Sequence, residues 1–333
     1  MPALQILKKS APPPARQPIC VGSGFVALDL VYIGDGRGEP NFSFAGGSCG
    51  NVLTILAFFG WDSVPVIRLK DDSEATDLIA DLEKWQVNTR FVHQEETGST
   101  PVVVQRICTS INGDPYHRFE WRSPSTGLRL PGYRPLPQRI AIEVSTQLPR
   151  PNVFYFDRPA PSALLLAKRA HDLGAVVFFE PSSVSDPVLF AQAVGLADVV
   201  KYAEDRIQPS QIAATKHQPK LEIQTLGAEG LRFRSWCIGK RVAWRKLPAV
   251  KVKEFKDAAG AGDWCSAGII HMLTKHGRSA FMRIGEAKLL RALRCGQELA
   301  ALNCAYEGAR GAMYKVPPDK FVAVFARTRR APA

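Results

Sequence analysis

The chain has 333 residues, 46% of them hydrophobic and 22% charged, a globular balance that excludes a disordered protein. Its formal net charge of +12 suits polyanionic partners such as nucleotide phosphates, acidic sugars or nucleic acid. Lys and Arg are spread along the whole length, however, and only Arg327, Arg329 and Arg330 make a tight run, so a generally basic surface is the simpler account.

Seven cysteines, an odd number with no C-x-x-C pair, argue against a zinc site or a disulfide framework and for reduced thiols in a cytoplasmic protein. No apolar run approaches the roughly 18 residues that span a bilayer. Residues 1–17 contain the Pro12-Pro13-Pro14 cluster and no apolar core like that of a signal peptide, and read as a flexible leader.

Ile19 to Gly22 reads as a buried strand ending in glycines, and Phe25 to Ile33 continues in extended style. A turn through Asp35, Gly36, Gly38 and Pro40 leads to a short strand, Asn41 to Phe44. Gly46-Gly47 opens a helix over Asn51 to Phe59, closed by Gly60. Val64 to Leu69 is the next strand, and Ala75 to Lys84 is helical by the spacing of Leu78, Ile79 and Leu82. Val102 to Ile107 and His117 to Trp121 alternate like strands, with Asn112-Gly113-Asp114-Pro115 as a hairpin turn.

After a Pro-rich stretch, 131–151, strands and helices alternate: Val153 to Phe156, Ser162 to Leu173, Val176 to Phe179, Val188 to Leu196. Then come a strand at Leu221 to Thr225 and helices at Asp263 to His276 and Lys288 to Tyr306. Such alternation means a parallel sheet flanked by helices. The strand pairs near 30–45 and 100–122 fit no βαβ unit and suit a small β-sheet lid. Residues 18–326 therefore form one α/β domain, and 327–333 a basic tail.

Two segments carry the chemistry. Asp257-Ala258-Ala259-Gly260-Ala261-Gly262-Asp263 runs straight into a helix. Small residues let backbone approach a ligand, and the free N–H groups of a helix N-terminus attract an anion. Asp263 in the first turn would lie beside a bound phosphate, able to take a proton from an attacking hydroxyl. It could equally do no more than cap the helix. Ala45-Gly46-Gly47-Ser48-Cys49-Gly50-Asn51 is a second loop-to-helix junction, where Asn51 offers a donor and an acceptor to hydroxyls or, alternatively, satisfies a glycine turn.

Taken together, the segments resemble the ribokinase-like (PfkB-type) carbohydrate kinase family, with its G-G-x-x-x-N motif near the N-terminus and D-T-x-G-A-G-D motif near the C-terminus. The resemblance runs from about Ile19 to Gly311 and includes Asp29, where the family keeps a sugar-binding aspartate. Thr225-Leu226-Gly227 with Gly230 resembles the family's nucleotide segment, and Ala300 to Ala309 its late helix near the adenine.

The resemblance implies a three-layer α/β/α fold with a mostly parallel central sheet and a β-sheet lid. It implies ATP and Mg²⁺ as cofactors, with a monovalent cation such as K⁺ left open. Asp263 would be the base, and the N–H groups of Gly260, Ala261 and Gly262 the anion hole. Asp29, Gly46, Gly47 and Asn51 would hold the acceptor, and Lys201, Thr225, Gly227, Gly230 and Asn303 the ATP. The acceptor would be a sugar or sugar-like molecule, with a nucleoside, or a non-catalytic regulator of the same fold, as alternatives. Phe42, Phe44, Phe119 and Trp121 keep the nucleoside in play, and a homodimer through the lid is one further expectation.

The sequence departs from the family pattern in three places. Ala258 stands where Thr is usual. Where the family often carries N-x-x-E, Ala203 and Arg206 replace Asn and Glu, leaving Glu204 as a candidate metal ligand. Glu180-Pro181-Ser182 stands where D-x-N is common.

Three other signals lead elsewhere. Gly22-Ser23-Gly24-Phe25-Val26-Ala27 fits a dinucleotide fingerprint, but the β-rich residues behind it cannot start the helix that fingerprint needs. Basic clusters at Lys240-Arg241, Arg245-Lys246 and Lys251 to Lys256, beside Trp236 and Trp244, would suit nucleic acid, yet fit solvated strand edges better. His93, His117 and His171 show no metal-ligand spacing and read as surface or packing residues, and Cys49 and Cys265 as small buried thiols.

Overall fold

A computed structural model describes residues 17–34, 36, 38–110, 115–235, 243–252 and 254–330. The expected turns at Asp35 and Asn112–Asp114, the leader through residue 16, and Trp236, Lys240, Arg241 and Lys253 lie outside them.

The strands are β1 (Ile19–Ser23), β2 (Ala27–Ile33), β3 (Phe42–Gly46), β4 (Asp62–Pro65), β5 (Ile67–Leu69), β6 (Val92–Gln94), β7 (Val102–Thr109), β8 (Pro115–Glu120), β9 (Val153–Phe156), β10 (Val176–Phe179), β11 (Val199–Ala203), β12 (Leu221–Thr225), β13 (Leu231–Ser235) and β14 (Arg245–Leu247). The central sheet has the order β14-β13-β12-β11-β10-β9-β1-β4. It is parallel from β4 to β12 and antiparallel at β13 and β14.

Alternate side chains of these strands feed two cores. Cys20, Tyr155 and Phe178 face one helical layer, with α1 (Ser48–Phe58). Val21, Phe154 and Phe179 face the other. Strands buried on both faces read as unbroken apolar runs, which is why β9 (VFYF) and β10 (VVFF) were visible in sequence. Following α1 are α2 (Ser73–Lys84), α3 (Gln138–Gln147), α4 (Pro161–Asp172), α5 (Pro187–Leu196), α6 (Pro209–Ala213), α7 (Ala261–Leu273), α8 (Gly277–Phe281), α9 (Glu286–Asn303), α10 (Gly311–Lys315) and α11 (Pro318–Arg330). α1, α7 and α9 pack together on one face and α3, α4 and α5 on the other. The expected three-layer α/β/α architecture is therefore present.

The lid is a separate sheet of order β3-β2-β7-β8, with β2 and β7 parallel and both outer pairs antiparallel. Its strands match the expected pairs, with β2 starting at Ala27.

Several sequence expectations change. Val64 to Leu69 is not one strand: β4 stays in the central sheet, whereas β5 pairs with β6 in a two-stranded sheet of its own. The Pro-rich stretch contains α3, whose Ile140, Ala141 and Val144 are buried on one face; Pro137 precedes the helix and so does not break it. Of the residues expected as a tail, 327–330 are the last turn of α11, where Thr328 is buried and Arg327 bonds Glu298 at 2.9 Å, and 331–333 lie outside the described residues. Gly22 lies in β1 and Gly24 in the short connection to β2, so no dinucleotide-binding helix begins there. Among the described residues, no helix is long and apolar enough to cross a membrane.

Candidate active site

A cavity of about 540 Å³ opens at the carboxyl ends of β1, β9, β10, β11 and β12, between the central sheet and the lid. This is where open α/β sheets bind ligands, because strand ends and helix N-termini converge there. Asp29, Asn51, Arg158, Phe119 and Trp121 line one end, Ser182, Ala203, Arg206 and Thr225 the other, and Gly260, Gly262 and Asp263 lie between.

Asp263 sits in the first turn of α7. The chain enters that helix through Gly260 at φ 71°, where a Cβ would stand 2.2 Å from the Ala309 carbonyl oxygen. Only glycine fits both constraints. The first N–H groups of a helix have no intrahelical acceptor and point toward whatever binds there. Of the three residues expected as the anion hole, Gly260 and Gly262 line the cavity. Ala261 departs from the expectation: its N–H is turned back to Ala258 O at 3.1 Å.

The Asp263 carboxylate accepts from Asn51 Nδ2 at 2.7 Å. Burial pushes its pKa well above the ordinary range and Glu180's charge adds to this, while the Asn51 hydrogen bond and Lys201 oppose. Asn51 Oδ1, buried in the cavity wall, has no protein partner.

Asp29 is buried beneath the second motif. A Cβ on Gly46 would lie 1.9 Å from its Oδ2, so only glycine lets the backbone pass. Burial raises its pKa to about 7 against the opposing charge of Arg310 and a hydrogen bond from the Gly47 backbone. Gly46 is thus a packing neighbour of Asp29, whereas Gly47 and Asn51 face the cavity.

Beneath Asp263 lies a polar knot. Glu180 pairs with Lys201 Nζ and accepts from Tyr155 OH at 3.1 Å and from the Ser266 hydroxyl. Lys201 Nζ also donates to Gly262 O at 3.2 Å. Burial, the largest single influence, would depress the Lys201 pKa, but Glu180, Cys265 and Asp263 together outweigh it and the net shift is upward.

The residues expected at ATP divide. Thr225 and Lys201 line the cavity, though Lys201 is already paired. Gly227 and Gly230 form the tight turn from β12 to β13, outside the cavity wall. Asn303 does not reach it: fully buried, it donates to Ala259 O, Gly308 O and Ala309 O and accepts from Ala312 N. It clamps the loop after α9 beneath the Gly260 turn. Glu204 is exposed and outside the wall, and no group of three or more metal-ligating side chains exists among the described residues.

Sequence reasoning missed four contributors. Arg158 Nη1 is held by Asp157 Oδ2 at 3.0 Å, and its guanidinium lies over the Phe25 ring. Arg310, fully buried, pairs with Asp81 at 2.5 Å and lowers the Asp29 pKa. Gln105 and His117 both reach Asp257, at 3.2 and 3.1 Å. His117 is therefore part of the cavity wall, not the mere surface or packing residue expected. An isolated Arg, Gln or His in a loop or strand carries no sequence signal of such convergence.

Other expectations fall into place around the cavity. Cys49 and Cys265 are buried, and burial raises both thiol pKa values, Cys265 to about 11, so neither is a nucleophile at neutral pH. Arg245 pairs with Glu286, Lys246 with Glu229 and Lys256 with Glu307, so these cations are shared with carboxylates.

Residues 188–315 match the model of the pfkB family carbohydrate kinases. More than nine-tenths of the chain superposes on solved structures of that fold. Ribokinase from Giardia lamblia shares 15% identity over 94% of this chain and 99% of its own, with a TM-score of 0.71. Fructokinase with bound ATP from Xylella fastidiosa shares 16% over 93% and 99%, at 0.69. Aminoimidazole riboside kinase from Salmonella enterica, solved with aminoimidazole riboside and an ATP analog, shares 21% over 92% and 99%, at 0.66. At these identities the likeness is one of fold. No curated protein matches the chain in sequence.

Proposed function

We propose that this chain, a member of the ribokinase-like, pfkB-type carbohydrate kinases, moves the γ-phosphate of ATP to a hydroxyl of a sugar or sugar-like molecule, with Asp263 as general base. One observation carries the reading. Asp263, beside a glycine turn at a helix N-terminus, is hydrogen-bonded by Asn51, whose other end is unpaired in the wall of the same cavity. A buried acceptor without a partner costs about 1–3 kcal/mol, which a ligand hydroxyl would relieve.

In this reading ATP occupies the end lined by Ala203, Arg206 and Thr225, with its γ-phosphate against Gly260 and Gly262. Asp29 and Asn51 hold the acceptor so that one hydroxyl points at Asp263. The hydroxyl proton passes to the Asp263 carboxylate, the oxygen bonds to the γ-phosphorus, and ADP leaves with the electrons of the broken P–O bond. Helix and turn N–H groups stabilise charge on the transferring group.

The side chains at the nucleotide end do not fit a metal cage. Glu180 is consumed by three partners, and Arg206 brings a positive charge. Magnesium is therefore read as part of the nucleotide substrate.

A nucleoside acceptor is the second reading. Phe25, Phe119 and Trp121 stand at the acceptor end, and aromatic faces accept a flat base by stacking. Ile33 and Phe42, both more than half exposed on the lid, are where a second copy would pack. A cytoplasmic location accords with six described cysteines that are all free thiols.

The test is ADP release and product formation across a panel of sugars and nucleosides, run with K⁺ or Na⁺ as the only monovalent cation. Acceptor-dependent turnover that is lost in Asp263→Asn supports the kinase. ATP binding with no turnover on any acceptor favours a regulator.

A further inference from the structure

We propose that Gln105 and His117 of the lid are positioning residues that hold the anion-binding turn in place through the carboxylate of Asp257; this rests on the kinase reading above.

Asp257 is buried at 2% exposure, and three hydrogen-bond donors and one imidazole nitrogen converge on it. Two come from the turn and its supporting loop: Ala259 N to Oδ1 at 2.9 Å and Gly308 N to Oδ2 at 2.9 Å. Two come from the lid: Gln105 Nε2 to Oδ2 at 3.2 Å and His117 Nδ1 facing Oδ1 at 3.1 Å.

Strand register explains why the lid reaches so far. Gln105 pairs with Phe119 across β7 and β8, and Ile107 with His117, so Gln105, His117 and Phe119 share the face turned to the cavity. The Gln105 amide turns its nitrogen toward Asp257 and donates to that carboxyl. Its Oε1 is left buried with no partner. A lid side chain serving stability alone would do better as an apolar residue of that size, since an unsatisfied buried carbonyl is unfavourable. The side chain is explained by what its nitrogen holds.

Ala259 leads directly into Gly260, whose φ of 71° sets the entry to α7. The lid, which also supplies Phe119 at the acceptor end, is thereby tied to the turn that would face the phosphate. When the lid sits over an acceptor, the turn is held. When it lifts, the carboxylate loses two of its four partners and the turn loosens.

Gln105→Leu, His117→Phe and His117→Gln test this, once wild-type turnover has been established with its acceptor. We expect Gln105→Leu and His117→Phe to lower kcat by at least about tenfold, with acceptor KM and ATP affinity changed less than about threefold. His117→Gln, which keeps a donor, should recover most of kcat. Amide exchange of the segment around Ala259 and Gly308 should speed up in the two disruptive variants and nowhere else in the central fold. A rise in acceptor KM with kcat and exchange held at wild-type values overturns the proposal and makes the two residues acceptor contacts. If wild type itself turns over no acceptor, the kinase reading fails first, and the exchange measurement still decides whether the lid holds the turn.

Discussion

Asn51 donates to Asp263 at 2.7 Å across 212 positions of sequence, so the two glycine-rich segments meet at one carboxylate. α1 and α7 pack side by side, each starting from a glycine with positive φ, Gly47 at 76° and Gly260 at 71°. Their N-termini converge on the cavity. If Asp263 is to stay ionised it needs a donor of this kind, because burial and Glu180 both favour its protonated form.

Asp263→Asn retains size and cannot take the proton. It should lower kcat by about 10²–10⁴-fold, with ATP affinity close to wild type. Asn51→Ala removes a hydrogen bond that lowers the Asp263 pKa, so the acid limb of its pH–rate profile should move to higher pH. Turnover above about a tenth of wild type in Asp263→Asn rules out the base. An acid limb that stays put in Asn51→Ala would show that the hydrogen bond does not tune it.

Asp29 gives a pH signature in two opposite directions. Its folded pKa of about 7 lies above the unfolded value, so its favourable contribution to stability is complete at low pH and is lost as pH rises through about 7. Asp29→Asn should therefore be more stable than wild type by roughly 2–4 kcal/mol at about pH 8, the advantage vanishing below about pH 4. Acceptor binding runs the other way. In the proposed kinase an ionised Asp29 would accept from acceptor hydroxyls, so acceptor kcat/KM should rise between about pH 6 and 8 in wild type. In the variant it should fall about ten- to a hundredfold. Denaturant unfolding at three pH values and initial rates at the same values check both. Equal weakening of ATP and acceptor would make Asp29 a fold residue.

How much of this was legible depended on whether the signal was local. β9, β10 and their helices announce themselves because a strand buried on both faces must be apolar throughout. The two motifs were legible because glycine at close backbone approach has no substitute. By contrast, β14 has only three residues and owes its place to pairing with β13. Val64 to Leu69 reads as one strand because nothing local shows that the chain leaves the central sheet after Val66, whose N–H still bonds Gly22 O of β1 at 2.7 Å. Asn303 looks like a ligand-facing amide but fills its donors and acceptor inside the fold. Gln105, His117, Arg158 and Arg310 acquire meaning only when distant chain segments are brought together.

Arg206 lines the cavity as an exposed side chain whose backbone closes a turn on Ala203 at 3.1 Å. A fixed guanidinium repels a second metal ion and suits a phosphate oxygen. Activity should thus rise with Mg²⁺ to about one equivalent per ATP and then level off. Arg206→Glu should raise the KM for ATP and introduce activation by further metal. Activation of the wild type far beyond stoichiometric Mg²⁺, abolished by Glu204→Gln, would instead give the metal role to Glu204.

Glu180 and Lys201 make the sharpest test, because stability and catalysis should respond together with defined signs. The pair is buried, with Lys201 only 1% exposed, and breaking one side leaves a charge without its partner. Glu180→Gln should cost about 3–5 kcal/mol, whereas Glu180→Gln with Lys201→Met should recover most of that loss, since no lone charge remains. In the single variant the negative charge that raises the Asp263 pKa is gone, and Lys201, which lowers it, is no longer neutralised. Both changes act in one direction. The acid limb of the kcat profile should move to lower pH in Glu180→Gln. The double variant, having lost the opposing influences of Glu180 and Lys201 together, should fall between the single variant and wild type. Thermal unfolding and pH–rate profiles on the same three proteins provide the check. A shift of the limb to higher pH in Glu180→Gln would mean that Lys201 moves away from Asp263 once its partner is lost, and that the pair positions the lysine but does not tune the base.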